Sequence, residues 1–196
     1  MYAIEEDGAL GRVVDSREFG TEARPSHAHC AVFSPNNRHA YVCDLGLDGI
    51  HCFHFDAATG RLREHDEEAF SHSSPGSGPR HIAFHPRGVA AYAINENDST
   101  IDTFTYLPSG RLRRERTLTT LPAHFEGKSY CAEIKVSRDG RHVYGSNRAV
   151  EPAFSSVVVM RVVEVRRNPP PCLLRCCCAR DDDLPHTRKS THVNQP

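Results

Sequence analysis

AVFSPNNRHAYVCD, residues 31–44, is the first of three similar segments that decide the fold. The other two are IAFHPRGVAAYAIN at residues 82–95 and IKVSRDGRHVYGSN at residues 134–147. Three aromatic or apolar anchors keep spacings of 51 and 52 residues, and so do three tyrosines: Phe33, Phe84 and Val136; Tyr41, Tyr92 and Tyr144. Several anchors in one register over two intervals indicate one supersecondary unit used repeatedly.

Each unit contains short apolar runs separated by turn signals, which is typical of β-structure. In the first two units a turn at Gly60 or Gly110 leads to a fourth, more polar strand near Leu62 or Leu112. Four strands in about 50 residues match the blade of a β-propeller. The sequence therefore predicts an all-β fold: a partial β-propeller with two complete four-stranded blades and parts of two more.

The two ends of the chain depart from the repeat. Residues 2–12 resemble the third strand and following turn of a blade, because Gly8 and Leu10 lie 52 residues before Gly60 and Leu62. We therefore expect the chain to start inside a blade. Residues 1–164 are assigned to the partial propeller, and residues 165–196, with runs of three prolines, three cysteines and three aspartates, to a disordered tail. An out-of-frame origin of this tail, and a soft-metal or acylation site at its cysteines, are alternatives.

Composition excludes several partners. The formal net charge is −1, so no global field attracts nucleic acid or an anionic membrane. No apolar run approaches membrane-spanning length, and the acidic N-terminus does not resemble a signal peptide. We expect a cytoplasmic, reducing setting, with Cys30, Cys43, Cys52 and Cys131 as semi-buried thiols.

The repeat register predicts which polar residues meet around the central channel of a propeller. Structural positions repeat between blades, whereas the residues beside the inner and second strands differ in chemistry. The positions that vary in this way are His29, Arg80 and Ala132; Cys30, His81 and Glu133; Asp44, Asn95 and Asn147; Leu45, Glu96 and Arg148.

This set suits a small anionic molecule that contains a carbonyl group. Arginine offers a planar fork of donors for carboxylate or phosphate, and histidine and glutamate move protons near neutral pH. We assign Glu133, His81 and Arg80 as catalytic candidates. The substrate-binding candidates are His29, Arg148, Asn147, Asn95 and Glu96. The alternative is that these residues only line a wet channel, and the histidines at positions 39, 51, 54, 65, 72 and 85 are assigned to surfaces or strand faces.

The residues from 27 to 50, 76 to 101 and 120 to 148 together resemble the lactonase family of seven-bladed β-propellers. The resemblance rests on the ordered series H-x-H, D-L-G, P-R-H, N-E, A-E-I and S-N-R and covers roughly residues 2–163. The family is best known for hydrolysing 6-phosphogluconolactone and includes fungal carboxymuconate-lactonizing enzymes. The resemblance implies active-site roles for Arg80, His81, Glu133 and His29, with no cofactor and no metal.

Four functions follow from the residues and the resemblance. The leading one is lactone hydrolysis in sugar metabolism, in which Glu133, alone or with His81, activates water and Arg80 stabilises the oxyanion or binds phosphate. The alternatives are a muconate-type lactonizing cyclase or isomerase, a non-catalytic propeller that binds protein, and an inactive fragment. The expected partner is a small anionic lactone, with self-association through open blade edges.

Overall fold

The computed structural model describes residues 1–65, 70–151, 155–164 and 172–176, and within them every regular element is a strand. A first group precedes the repeats: β1 Tyr2–Ile4, β2 Leu10–Val13, β3 Gly20–Thr21 and β4 Arg24–Pro25. The first repeat holds β5 Ala28–Phe33, β6 His39–Asp44, β7 Gly49–Asp56, β8 Arg61–Glu64 and β9 Phe70–His72. The second holds β10 Pro79–Phe84, β11 Ala90–Asn95, β12 Thr100–Tyr106 and β13 Leu112–Thr119. The third holds β14 Lys128–Val136, β15 His142–Glu151, β16 Ser155–Glu164 and β17 Cys172–Cys176.

Each repeat forms one antiparallel sheet, which we call a blade. The second and third blades are four-stranded with sequential order, β10-β11-β12-β13 and β14-β15-β16-β17. In the first blade the outer position is shared, because β8 pairs with one end of β7 and β9 with the other. β1 and β2 form a separate hairpin. The predicted all-β partial propeller is confirmed.

The third blade departs from the sequence prediction in one respect. We expected no strand after residue 165, yet β17 pairs with β16 from Met160↔Cys176 to Glu164↔Cys172. Leu174 of β17 is fully buried in the core between the second and third blades. Its burial supplies a reason for a strand that the surrounding proline and cysteine runs obscured. The rest of the predicted tail, 165–171 and 177–196, lies outside the described residues.

The second blade is buried on both faces, and β11 shows why its sequence reads as one apolar run. Ala90, Tyr92 and Ile94 pack into the core shared with the third blade. Ala91 and Ala93, which point the other way, pack into the core shared with the first blade. Alternation along a strand thus places consecutive apolar residues in two different interfaces.

The turns repeat in backbone detail as well as in spacing. Asn37, Gly88 and Gly140 occupy equivalent turn positions and all have positive φ, at 58°, 63° and 73°. This left-handed conformation favours glycine and tolerates asparagine. At Gly140 a Cβ atom would also lie 2.3 Å from Nε2 of His85, so the turn of the third blade needs glycine for space.

Two expectations about side chains have different outcomes. Cys43, Cys52 and Cys131 are buried free thiols and Cys30 is half-buried, as predicted. His39 and His85, which the sequence assigns to surfaces or strand faces, are not surface residues, because only 3% of each is exposed. His39 is the first residue of β6, and His85 directly follows β10. Among the described residues, no helical segment has the length and apolarity needed to cross a bilayer.

Candidate functional site

The inner strands of the three blades bring the candidate residues together. β10 lies between β5 and β14, so equivalent positions of the three strands are neighbours. Each inner strand shifts register where it carries site residues: between Ala28 and Cys30, between Pro79 and His81, and between Cys131 and Ile134. Such bulges re-aim side chains. The shifts coincide with His29, Arg80 and Glu133.

His81 and Glu133 form a pair across two blades. Nδ1 of His81 lies 3.0 Å from Oε1 of Glu133. Nε2 of His81 lies 3.2 Å from Nη1 of Arg80, and a guanidinium can only donate. Nε2 therefore accepts, and His81 is the neutral tautomer that donates its Nδ1–H to Glu133.

The Glu133 carboxylate is held at one of its two oxygens. Oε1 also accepts the backbone N–H of Ile134 at 2.9 Å and lies 3.6 Å from Nζ of Lys135. Burial acts to raise the pKa of Glu133, but the hydrogen bonds from His81 and Ile134 and the charge of Lys135 outweigh it and lower that pKa. The side chain is 46% exposed, so an ionised carboxylate faces solvent.

Two arginines share one carboxylate beside this pair. Nε of Arg80 lies 2.8 Å from Oε2 of Glu96, and Nη2 of Arg148 donates to Oε1 of Glu96 at 2.8 Å. Backbone carbonyls hold both guanidinium groups: Arg80 donates to Ala132 and Arg148 to Cys131. Glu96 thus occupies the position between two cations that an anionic ligand would take.

His29 completes the cluster from the first blade. Its ring centroid lies 5.1 Å from that of His81, at an interplanar angle of 56°. Burial, followed by the charge of Arg80, lowers the pKa of His29. His29 is therefore a neutral imidazole near pH 7, able to donate or accept a hydrogen bond.

Comparison with known proteins identifies the family to which this chain belongs. The model of the lactonase family, described as a 7-bladed β-propeller, matches residues 1–169. The chain belongs to the lactonase family. The resemblance predicted from the ordered motifs is confirmed.

Individual relatives and solved structures that are similar to this chain support the same family. It is 32% identical over 154 residues to a 6-phosphogluconolactonase of Bacillus subtilis, covering 76% of this chain and 43% of that protein. It is 38% identical over 121 residues to a 6-phosphogluconolactonase of Serratia proteamaculans, covering 61% and 36%. A periplasmic gluconolactonase of Pseudomonas aeruginosa superposes with a TM-score of 0.76 at 29% identity, covering 89% of this chain and 48% of that one. The chain spans less than half the length of these proteins.

Asn95 and Asn147 do not join the solvent-facing cluster. Both are buried, at 0% and 2% exposure. The amide of Asn95 donates to Thr100 and Asp102 of its own blade. Asn147 accepts from Thr120 at 2.7 Å and donates to the Thr120 carbonyl and to Ser156. Asn95 thus connects β11 to β12, and Asn147 connects β15 to β16 and to the segment after β13.

Sequence reasoning missed four contributors to the cluster. Ser146 accepts the backbone N–H of Glu133 at its Oγ, at 2.9 Å. Lys135 adds a cation beside Glu133, and the Ala132 and Cys131 carbonyls anchor the arginines. Lys135 follows Glu133 by two residues on one strand, so period-2 alternation could have indicated it. Backbone carbonyls leave no signal in a sequence.

Proposed function

We propose that this lactonase chain provides the catalytic cluster of a lactone hydrolase that acts on an anionic sugar lactone. The observation that carries the proposal is a solvent-facing carboxylate, Glu133, held beside two arginines that share Glu96. A base and a cationic anion site side by side are what hydrolysis of a negatively charged ester needs.

Glu133 is suited to activate water. Among the described residues, its hydrogen bonds and ion pairs fall on Oε1, which leaves Oε2 for a water molecule. That water attacks the lactone carbonyl carbon and gives its proton to Glu133, and the carbonyl oxygen becomes an oxyanion. Collapse of the tetrahedral intermediate breaks the ring C–O bond, and the leaving oxygen takes the proton. The product is an open-chain hydroxy acid.

His81 and Arg80 support this step in different ways. The His81 Nδ1–H bond orients the Glu133 carboxylate and favours its ionised form. Arg80 places its guanidinium next to His81, with Nη1 at 3.2 Å from Nε2 of His81. We assign it to the developing oxyanion, where a fixed charge contributes most to the rate.

Arg148 and His29 orient the substrate. Nη2 of Arg148 donates hydrogen bonds to Glu96 and to the Cys131 carbonyl, and the Arg148 side chain is 48% exposed. Both Nη2 hydrogens are used there, so a substrate phosphate or carboxylate would accept a hydrogen bond from Nη1 or Nε. The neutral His29 ring beside His81 is placed to hydrogen-bond a sugar hydroxyl.

Two relatives support 6-phosphogluconolactone as the substrate, because the Bacillus subtilis and Serratia proteamaculans proteins are both named 6-phosphogluconolactonase. The test is the rate of hydrolysis of 6-phosphogluconolactone, gluconolactone and a muconate-type lactone by the folded chain, each against buffer alone. We expect acceleration, largest for the phosphorylated lactone because of the two arginines. A folded chain that accelerates none of the three would reject hydrolysis and leave the binding-module and inactive-fragment alternatives.

A further inference from the structure

Three histidines of the first blade lie close together at the N-terminal end of β6. Asp44 is at the other end of this strand, and the cluster lies away from the candidate site. His39 begins β6, His54 lies in β7 and His65 follows β8. One potential ligand atom from each lies within 4.8 Å of the other two. The His54 and His65 rings stack at 4.3 Å, and His39 lies 5.1 Å from His54 between ring centroids. We call these three residues the histidine cluster.

Hydrogen bonds leave one ring nitrogen of His65 with a free lone pair. Nε2 of His65 lies 2.6 Å from the carbonyl oxygen of Ser109. A carbonyl oxygen only accepts, so the proton is on Nε2 and Nδ1 is the unprotonated nitrogen. A carbonyl that orients the second nitrogen is the usual support of a metal-ligating histidine.

Hydrogen bonds also fix the ring of His39. The Tyr106 oxygen lies 2.9 Å from Nδ1 of His39 and 3.3 Å from Oδ1 of Asn36. Nε2 of His39 faces the turn at Ser109 and Gly110, where the ring hydrogen-bonds the Ser109 backbone. A metal ion at Nε2 would replace that hydrogen bond. His39 itself is buried, so its ring has little freedom to turn away.

We propose that the histidine cluster is a binding site for a divalent transition-metal ion, with three imidazole ligands and a fourth position left to water. Three nitrogens at the usual zinc–nitrogen distance around a tetrahedral ion are about 3.4 Å apart. The cluster reaches this spacing if the rings move together by about one ångström or less. Imidazole donors select zinc, copper, nickel or cobalt over magnesium and calcium, which prefer oxygen.

The ion would bind beside the interface between two blades. All three ligands belong to the first blade, but both supporting contacts of the cluster, Ser109 and Tyr106, belong to the second. Tyr41 adds a further link by donating to the carbonyl of Gly110. Metal binding would thus stabilise the interface between the first and second blades.

Cobalt(II) is the probe, because its visible absorption reports coordination directly. The full chain is titrated, and so is a version with Cys172, Cys176, Cys177 and Cys178 changed to serine, which removes the thiolates of the C-terminal run. We expect one bound ion in both, and no thiolate charge-transfer band in the serine version. A single site lost with the cysteines would overturn the proposal.

Variants assign the ligands. His54→Ala and His65→Ala should each weaken cobalt binding by more than roughly 10- to 100-fold. That range is the effect of losing a residue that only hydrogen-bonds to a ligand. Tyr106→Phe should weaken cobalt binding by about tenfold, and His72→Ala is the matched control that leaves it unchanged. Zinc should raise the melting temperature of the wild type but not of His54→Ala. Unchanged cobalt affinity in both His54→Ala and His65→Ala would reject the site.

Discussion

At the residue scale, Glu96 links the two arginines to which we assign substrate recognition and oxyanion stabilisation. It lies within 2.8 Å of a nitrogen of each, so it neutralises charge that would otherwise be unpaired. An anionic substrate must either displace Glu96 or accept hydrogen bonds from the guanidinium donors that Glu96 does not use. Glu96 therefore keeps the site organised before substrate arrives, which reduces the reorganisation that binding requires.

Asn147 is the residue for which binding and structural roles can be separated. Asn147→Ala removes an amide that bonds Thr120 and Ser156 in the interior, so we expect a loss of about 1–3 kcal/mol in the free energy of unfolding. Urea denaturation measures this loss. Asn97→Ala, at an exposed position with one described bond, is the control. A stable Asn147→Ala protein with weakened substrate binding would restore the role predicted from the sequence.

At the element scale, the two-sided burial of β11 and the addition of β17 show how neighbouring blades hold each other. Each interface takes alternate residues of one strand, so a strand in the middle of the array stabilises two cores. β17 contributes Leu174 to only one of them. Nearest-neighbour packing of this kind is the main source of stability in repeat proteins.

The role of β17 is tested by Leu174→Ala. A fully buried leucine leaves a cavity when truncated, and we expect a loss of about 2–5 kcal/mol in unfolding free energy. Val157→Ala, at a position 63% exposed on the adjacent strand, should change it by less than about 0.5 kcal/mol. Chemical denaturation compares the two. Equal, small effects would show that Cys172–Cys176 is not part of the blade in solution.

His85 predicts how the interface between the second and third blades responds to acid. Burial, and then the charge of Arg87, lowers the pKa of His85 in the folded protein. The unfolded chain therefore binds the proton more readily, so this contribution is complete above about pH 6.5 and is lost as pH falls below it. The melting temperature should drop between pH 7.5 and pH 5.5, and less in His85→Asn.

The acid response has other contributors, which sets the expected size of the change. Burial also lowers the pKa of His29 and His51, so His85→Asn should reduce the drop without abolishing it. The same drop in wild type and variant would show that His85 does not titrate as the structure indicates.

At the scale of the whole molecule, the outer face of the third blade is uncovered among the described residues. Tyr41 and Tyr92 are fully buried by the next blade, whereas the equivalent Tyr144 is 40% exposed. Val157 is exposed on the same sheet. An apolar sheet face of this kind favours association with another copy of the chain.

Self-association is therefore expected to depend on protein concentration. Sedimentation velocity over a range of concentrations should show dimers or larger species, because two copies would cover the face that a further blade covers elsewhere. Val157→Lys places a charge on that face and should shift the distribution toward monomer. Glu64→Lys, at an exposed position on β8, is the control and should leave the distribution unchanged. A wild-type chain that stays monomeric at all concentrations would contradict the expectation.

The sequence predicted the blades because their information is periodic, and it missed features whose cause is tertiary. Phe33, Tyr41 and the turn glycines repeat, so spacing alone placed them. The contacts among His29, Arg80, His81 and Glu133 followed from register. The burial of Asn95 and Asn147 did not, because variation between blades looked like functional variation. β17 was missed because one buried leucine in a proline- and cysteine-rich segment leaves no repeat.

We propose Glu133 as the base of a lactone hydrolase, and the decisive measurement is the rate at which Glu133→Gln hydrolyses 6-phosphogluconolactone. Glutamine keeps the shape and the hydrogen bond to His81 but cannot accept a proton from water. We expect kcat to fall by roughly 100- to 10,000-fold with an unchanged melting temperature, while Glu64→Gln on the outer strand keeps the wild-type rate. A Glu133→Gln protein that hydrolyses the lactone at the wild-type rate would show that Glu133 is not the base.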